Sequence, residues 1–600
     1  MDKKVVFCLV ILSIIVFVLG LHGGSEYYFR DFCVHKALNM FYHNGSPDFF
    51  KKPALVSDIE AIAYAVFYLY LKKLQYVSNF DEFVRYFSLN YIPTPKGNIS
   101  FMLPGLIINN IFAVIGVCFT FLTTYLLTNK KILPSFFAGF ILATSGIWMS
   151  LSHHMAVDIP LTAICMSVIF FSIYFIRDKE KYSRKNLIIL GLLVGLATSA
   201  KYNGLLVAVT PLSVLFYTQK NRRDLFFDFT LFLTAILFAF YITNPYIFID
   251  FWDFYYDFNM EFEHAFSMGH WAFDSKNPIL FHIFHSFPNA IGGVISIIGA
   301  VGLFCFLKDD KMSKTFKLAF LSFPIVFMIL LSISVLIFLR YLLPLIPIMS
   351  VGVGYLIYYI FDRFKLSDFN KKLIYLVLFV LMGQCLINAI DFYRIAGTYD
   401  TRVITKEIFK TLNLDKSDKV AYTDIFSNPY YNEDFLNKYP KLKDDLITYL
   451  YGTNYTSIYA VPGVNTDAFN QYSIIIFDSP TLDRGIQLRK DAKYKSIENQ
   501  YFLYEPLRFS RMLFDKPKND FYVVQVNPYK VDKWEVPFNI LRSDLKYRIN
   551  QGPFIEIYFK NEKLRDEFYD KCSQYSVKCQ RMYMYQGYYY NNYFTYNLHK

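Results

Sequence analysis

The sequence predicts a polytopic α-helical membrane protein of about eleven transmembrane helices, followed by a soluble C-terminal α/β or α+β domain. Three observations carry this. Apolar runs near twenty residues recur between positions 5 and 391. Basic residues cluster in alternate short loops between those runs. The last stretch, 392–600, loses the long apolar runs and alternates helical with strand-like segments. The whole chain is 54% hydrophobic with a mean hydropathy of +0.27, too apolar for an ordinary soluble enzyme.

The first run, VVFCLVILSIIVFVLGL, follows Lys3 and Lys4 like a signal peptide, but no convincing small-residue cleavage site comes after it, so it reads as a retained span over 5–21. Residues 54–76 are also apolar, yet counting them as a span would put Lys130 and Lys131 outside and invert every later loop. Asp58 and Glu60 near their start fit an interfacial amphipathic helix, within a long outer loop over roughly 22–102. Further spans are expected near 103–128, 134–152, 159–176, 187–200, 204–219, 227–248, 288–307, 318–338, 341–361 and 373–391. Lys3/Lys4, Lys130/Lys131, RDKEKYSRK, QKNRRD, KDDKMSK and DRFKLSDFNKK then all fall on one face, the cytoplasmic one by the positive-inside rule. The run 187–219 keeps this order only as two short helices meeting at Lys201-Tyr202-Asn203-Gly204. Each half has about 14 residues, or roughly 21 Å, shorter than the hydrocarbon core, which sets Lys201 at headgroup depth.

The C-terminal region carries helical TRVITKEIFKTLNL and strand-like SIIIFD, FYVVQV and FIEIYF, and an odd span count places it outside. The domain boundaries are therefore 1–391 for the membrane domain and 392–600 for the outer one. No internal repeat and no Walker A, GxSxG or HExxH pattern is present. The net charge of +12 sits in the short loops and is a topology signal rather than a nucleic-acid footprint. Cys8, Cys118, Cys165, Cys305 and Cys385 lie in apolar spans as small core residues. Cys572 and Cys579 can pair as a disulfide if their region is external. The sequons at Asn44, Asn98 and Asn454 match chance expectation and say nothing of localisation. A composition rich in Lys, Asn, Ile, Tyr and Phe points to an AT-rich genome and a prokaryotic plasma membrane.

Four ionisable residues emerge beside spans on the outer face: Asp31, Asp158, Lys201 and Arg340. Charges at membrane depth are costly, so each is a functional-site candidate. Together they suit an anionic ligand at the lipid boundary. A transfer from a lipid-linked phosphate needs a base, here Asp31, and a second acid, Asp158, to orient the acceptor or share the proton. Lys201 and Arg340 suit the phosphate, Arg as a bidentate donor and Lys as a mobile point charge. The loop 249–287 adds Glu261, Glu263, His264 and His270, placed to cover the site. Each has a plainer reading: Asp31 as a solvated loop carboxylate, Asp158 as the N-cap before Ile159-Pro160, and Lys201 and Arg340 as snorkelling anchors. Glu-x-Glu-His on a helix does not put its three side chains on one face, so no metal is expected there.

Several motifs in order resemble one family. They are YYFRDFCVHKALNMFYHNGSPDFFKKPAL, SHHMAVDIPLT, GLLVGLATSAKYNGLL, NPYIFIDF with EFEHAFSMGH, RYLLPLIP and YDTRVITKEIF. The chain resembles the lipid-phosphosugar-dependent membrane glycosyltransferases of the protein O-mannosyltransferase and aminoarabinose transferase type, glycosyltransferase family 39-like with GT-C architecture, over about residues 5–400. The resemblance puts the family's first-loop acid at Asp31 and its second-loop acid at Asp158, with Lys201 and Arg340 near the lipid phosphate. The family often has an Asp-Glu pair where Asp31 is followed by Phe32, and Glu26 is the alternative acid. What the resemblance implies is an inverting transfer of a monosaccharide from a polyprenyl- or dolichyl-phosphate donor to a glycan, lipid or protein acceptor. It implies no nucleotide cofactor, leaves a divalent metal open, and implies membrane lipids but no nucleic acid as partners. A transporter or flippase of lipid-linked sugars and a non-catalytic membrane scaffold are the rival readings.

Overall fold

The computed structural model describes residues 2–22 and 33–415 with short breaks, and beyond them the segments 418–422, 455–457, 472–478, 522–526 and 555–582, the last also broken. Asp31, Glu26 and His270 lie outside the described residues.

Among the described residues, seven helices are long and apolar enough to cross a membrane: Lys3–Leu21, Leu103–Leu127, Asp158–Ile176, Arg222–Thr243, Lys314–Ile333, Leu339–Arg363 and Asp368–Ala396. Two bent pairs raise the number to nine if each is one span. The protein is therefore a polytopic helical membrane protein. Four of the helices that leave the basic loops begin on polar caps. Ser183, Asn221, Ser313 and Ser367 each accept a backbone N–H two or three residues ahead.

Three expected spans differ in shape. The run 134–152 is bent by 57° where Thr144 and Ser145 separate Ile132–Ala143 from Gly146–Ser152. The segment before 308 turns through 112° at Gly292, whose φ of +94° belongs to the region glycine favours. The helix expected over 227–248 stops at Thr243, since Pro245 lacks the N–H to continue the ladder. The expected break inside 187–219 is present: Arg184–Ala200 ends at Lys201, whose backbone is extended (φ −158°, ψ 138°), and a 3₁₀ turn over Tyr202–Ala208 leads into Val209–Thr218. Gly204 is needed there, because a Cβ on it would sit 2.2 Å from the Ala197 carbonyl oxygen.

Residues 54–76 form the helix Leu55–Lys73, which is not among the candidate spans. Its exposed side carries Ile62, Val66, Leu69 and Tyr70, while Glu60 and Tyr64 are buried. Tyr64 joins Phe83, Phe101 and Val34 in a core of the outer loop, separate from the main core between the spans. The hairpin of β1 (Tyr91–Thr94) and β2 (Gly97–Ser100) closes that loop.

Beyond the last long helix lies another core. It is a mixed six-stranded sheet of β3 (Val420–Tyr422), β4 (Tyr455–Ser457), β5 (Ile474–Asp478), β6 (Tyr522–Val526), β7 (Ile555–Phe559) and β8 (Cys579–Met582), in the order β4-β3-β5-β7-β6-β8. β3 pairs in parallel with β4 and β5, whereas β5–β7, β7–β6 and β6–β8 are antiparallel. The alternating Ile474, Ile476, Val524, Val526, Ile555 and Ile557 face the helices Thr401–Thr411 and Glu562–Gln574. Cys572 and Cys579 are joined as a disulfide between the second of these helices and β8.

Candidate active site

The site is built where helices stop. Asp158 is the first residue of the helix Asp158–Ile176 and is only 2% exposed. It is not the N-cap that its place before Ile159-Pro160 suggests: Val157 holds that position, and no side chain caps this helix end. The carboxylate turns instead to the broken helix, where Lys201 Nζ donates to Oδ1 at 2.8 Å. Oδ2 is buried with no hydrogen-bond partner among the described residues, as is Oδ1 of Asn203 on the same break. Such a pair does not stabilise a fold greatly, because desolvating two ions offsets most of their attraction. Its value lies in holding an ammonium and an unspent carboxylate oxygen together.

The Lys201 ammonium also lies over the Tyr341 ring, 4.5 Å from its centre. Arg340 stacks from the other side of the sequence, its guanidinium carbon 5.7 Å from the same ring and 5.3 Å from that of Phe338. The 3₁₀ turn Leu339–Leu345, which carries Pro344, sets both residues ahead of the helix Ile346–Arg363. Tyr341 thus joins three expected residues: Arg340, Asp158 and Glu261 all lie within electrostatic reach of its hydroxyl, along with Lys52.

Glu261 comes from the helix Phe251–Glu263, and its Oε2 is 3.8 Å from His264 Nδ1. Burial works to raise the Glu261 carboxyl, but His264, Lys52 and Lys201 outweigh it and hold the group below the usual carboxylate range. Glu263 is exposed on the same helix. The structure therefore brings Asp158, Lys201, Arg340, Glu261 and His264 together.

Lys52 escaped the sequence reading. It sits in FFKKPAL, and four hydrogen bonds fix the chain around it. Phe50 N–H donates to Asp257 at 2.7 Å, and the Phe50 carbonyl accepts from Tyr202 Oη at 2.7 Å. Lys36 Nζ donates to the Lys52 carbonyl at 2.9 Å, and Ala54 N–H to Asn244 Oδ1 at 2.7 Å. No signal in the sequence singles it out, since the same outer loop also carries Arg30, Lys36, Lys51, Lys72, Lys73, Arg85 and Lys96. Lys52, Lys201 and Arg340 gather three cationic groups around Asp158 and Glu261, an arrangement suited to a phosphate.

Residues 101–249, which include Asp158 and Lys201, match the family described as dolichyl-phosphate-mannose-protein mannosyltransferase. No curated protein matches the chain. Among solved structures, ArnT from Cupriavidus metallidurans bound to undecaprenyl phosphate is similar at 12% identity and a TM-score of 0.47, covering 94% of this chain and 99% of that one. The archaeal oligosaccharyltransferase AglB from Archaeoglobus fulgidus, in complex with an inhibitory peptide and a dolichol-phosphate, is similar at 11% identity and a TM-score of 0.48, covering 89% and 75%. The Pmt1-Pmt2 protein O-mannosyltransferase of S. cerevisiae, bound to its sugar donor, is similar at 13% identity and a TM-score of 0.31, covering 47% and 36%.

Proposed function

We propose that the chain is a membrane glycosyltransferase of the protein O-mannosyltransferase and aminoarabinose transferase type, a reading supported by the family match over residues 101–249, and that it moves a monosaccharide from a polyprenyl- or dolichyl-phosphate to an acceptor at the outer membrane face. The acceptor hydroxyl or amine loses its proton to a carboxylate, Asp31 by resemblance, with Glu26 as the alternative. Its lone pair attacks the anomeric carbon, the bond from that carbon to the phosphate oxygen breaks, and the phosphate leaves with the electron pair, inverting the centre. Lys201 and Arg340 meet the charge that develops on the leaving phosphate, with Lys52 beside them. Asp158 orients the acceptor through Oδ2 while Oδ1 holds Lys201. Glu261, Glu263, His264 and His270 belong to the loop that covers the site. No nucleotide enters this scheme. The C-terminal region lies on the same outer side of a prokaryotic plasma membrane and positions the acceptor.

The observation that carries this reading is the buried Asp158–Lys201 pair at a helix break beside Arg340, inside the matched segment. A transporter would place ionisable groups deep within its spans, and a scaffold has no need of a buried Asp–Lys pair gathered beside an arginine at a helix break. The test is sugar transfer from a labelled polyprenyl-phosphate sugar by purified protein, wild type beside Asp31→Asn. Release of polyprenyl phosphate by wild type and not by the folded variant supports the enzyme and its base. Equal activity moves the base to Glu26. If neither consumes any of a panel of donors, with native membranes supplying acceptors, the reading fails.

A further inference from the structure

The first outer loop, where it crosses the end of the helix Arg222–Thr243, borders an open pocket of about 210 Å³. Pro47, Phe50, Pro53 and Pro245 give it apolar walls. Its rim is fixed by hydrogen bonds whose groups are spent on holding it. Asn244 accepts from Ala54 N–H at 2.7 Å and donates to Ser199 Oγ at 3.0 Å, and the Tyr246 hydroxyl donates to the Asn44 carbonyl. Two charged side chains line the space, Lys52 and Asp58. Among the described residues no hydrogen bond or ion pair reaches the Asp58 carboxylate. Burial pushes that carboxyl up to about 7, with Lys36 opposing, which marks a group short of hydrogen-bond donors.

Size narrows the occupant. At roughly 30 Å³ per water, the space equals about seven waters, below the roughly 300 Å³ of the smallest drug-sized pockets. One six-membered ring fits inside it, and any longer ligand would have to extend out through its open side. Chemistry narrows it further, for the pocket offers a carboxyl that can accept or donate, a cationic donor and apolar walls. We infer that this cavity is a monosaccharide subsite, in which Asp58 accepts hydrogen bonds from ring hydroxyls, Lys52 donates to a ring oxygen, and the proline and Phe50 walls cover a C–H face. The inference rests on the glycosyltransferase reading. Through Lys52, which also lies within electrostatic reach of Glu261 and Tyr341, the subsite adjoins the Asp158–Lys201 pair. Its ring is either the transferred sugar of the donor or the terminal sugar of a glycan acceptor.

The test is saturation-transfer NMR on the purified full-length protein. The probes are methyl glycosides of glucose, mannose, galactose, xylose and N-acetylglucosamine, with wild type compared against Asp58→Asn and Asp58→Glu. At least one glycoside should bind wild type saturably. Asp58→Asn should weaken it about tenfold, the scale of one hydrogen bond to a charged group, and Asp58→Glu should keep most of the affinity. Displacement of the bound glycoside by polyprenyl-phosphate sugar assigns the subsite to the donor, and retention assigns it to the acceptor. Binding of no glycoside, or equal binding by folded Asp58→Asn, overturns the inference. If Asp58→Asn does not fold, Asp58→Glu decides, and loss of all binding there counts against the hydroxyl-accepting role. Binding is read without turnover, so failure of the subsite and failure of the transferase reading are separate results.

Discussion

The two ends of the span Leu339–Arg363 carry ionic clusters of opposite character. At its far end Asp309 has spent both carboxylate oxygens: Oδ2 accepts from Tyr355 Oη at 2.6 Å, and Oδ1 takes the Lys311 N–H at 2.9 Å and the Arg363 guanidinium. Asp310 adds a second contact to Arg363, and Lys311 reaches Asp362 at 2.6 Å. That network ties the loop 309–313 to the end of the helix Ile346–Arg363 and leaves its central carboxylate nothing to offer a ligand. At the near end, Asp158 gives one oxygen to Lys201 and keeps the other buried and unspent. The contrast between the two clusters lies in their carboxylates: Asp309 has both oxygens bonded, and Asp158 only one.

Breaking the near cluster should cost most. Lys201→Gln strands the buried Asp158 carboxylate, and we expect a loss of about 3 kcal/mol in stability together with loss of donor turnover. A thermal melt alongside the transfer assay reads both.

Glu60 sharpens the comparison, because its Oε2 is also buried without a partner among the described residues. Burial pushes this carboxyl up to about 8, with Lys36 opposing, so at neutral pH it is an uncharged acid. Its folded value lies above the ordinary 4.5, so between these values the folded state holds a proton that the unfolded chain has released. Its contribution to stability is complete below 4.5 and is lost as pH rises through about 8, at up to roughly 1.4 kcal/mol per pH unit. Glu60→Gln should flatten that slope in denaturation between those values while leaving transfer intact. An unchanged slope would place the proton elsewhere.

The far cluster should respond in stability alone. Tyr355→Phe removes one hydrogen bond to a charged acceptor, a loss of about 1–2 kcal/mol, and turnover per folded molecule should not change. The smallest effect belongs to the strap around Lys52. Asp257→Ala frees the Phe50 N–H, and donor KM should rise about three- to tenfold with kcat nearly constant. A fall in kcat with unchanged KM would contradict a positioning role.

Much of this was legible in the sequence, for physical reasons that also mark where it was not. Lys201 and Arg340 stood out because ionisable residues next to apolar runs are costly to hold there, although snorkelling at a helix end is the plainer reading of each. The break at Lys201 followed from loop charges, since a single helix over 187–219 would have put basic loops on both faces. Lys52 was hidden by contrast: in a long polar loop a lysine is ordinary until the fold pins the chain around it. For Asp158 it is the plainer reading as a cap that fails: its position before Ile-Pro predicts a cap, and only the partner from another helix shows otherwise. Asp58 and Glu60 suggested the polar side of an interfacial helix. The structure buries Glu60 and exposes Ile62, Val66 and Leu69 instead. Amphipathic periodicity finds two faces but cannot say which meets protein when the other can meet lipid.

The most direct test of the central claim sets wild type, Asp158→Asn and Tyr355→Phe side by side, measuring release of polyprenyl phosphate from a labelled polyprenyl-phosphate sugar with native membranes as acceptor source. Wild type and Tyr355→Phe should turn over alike, and Asp158→Asn, folded, should fall by about a thousandfold. Equal turnover by Asp158→Asn, or no turnover by wild type with any donor tested, would contradict the account.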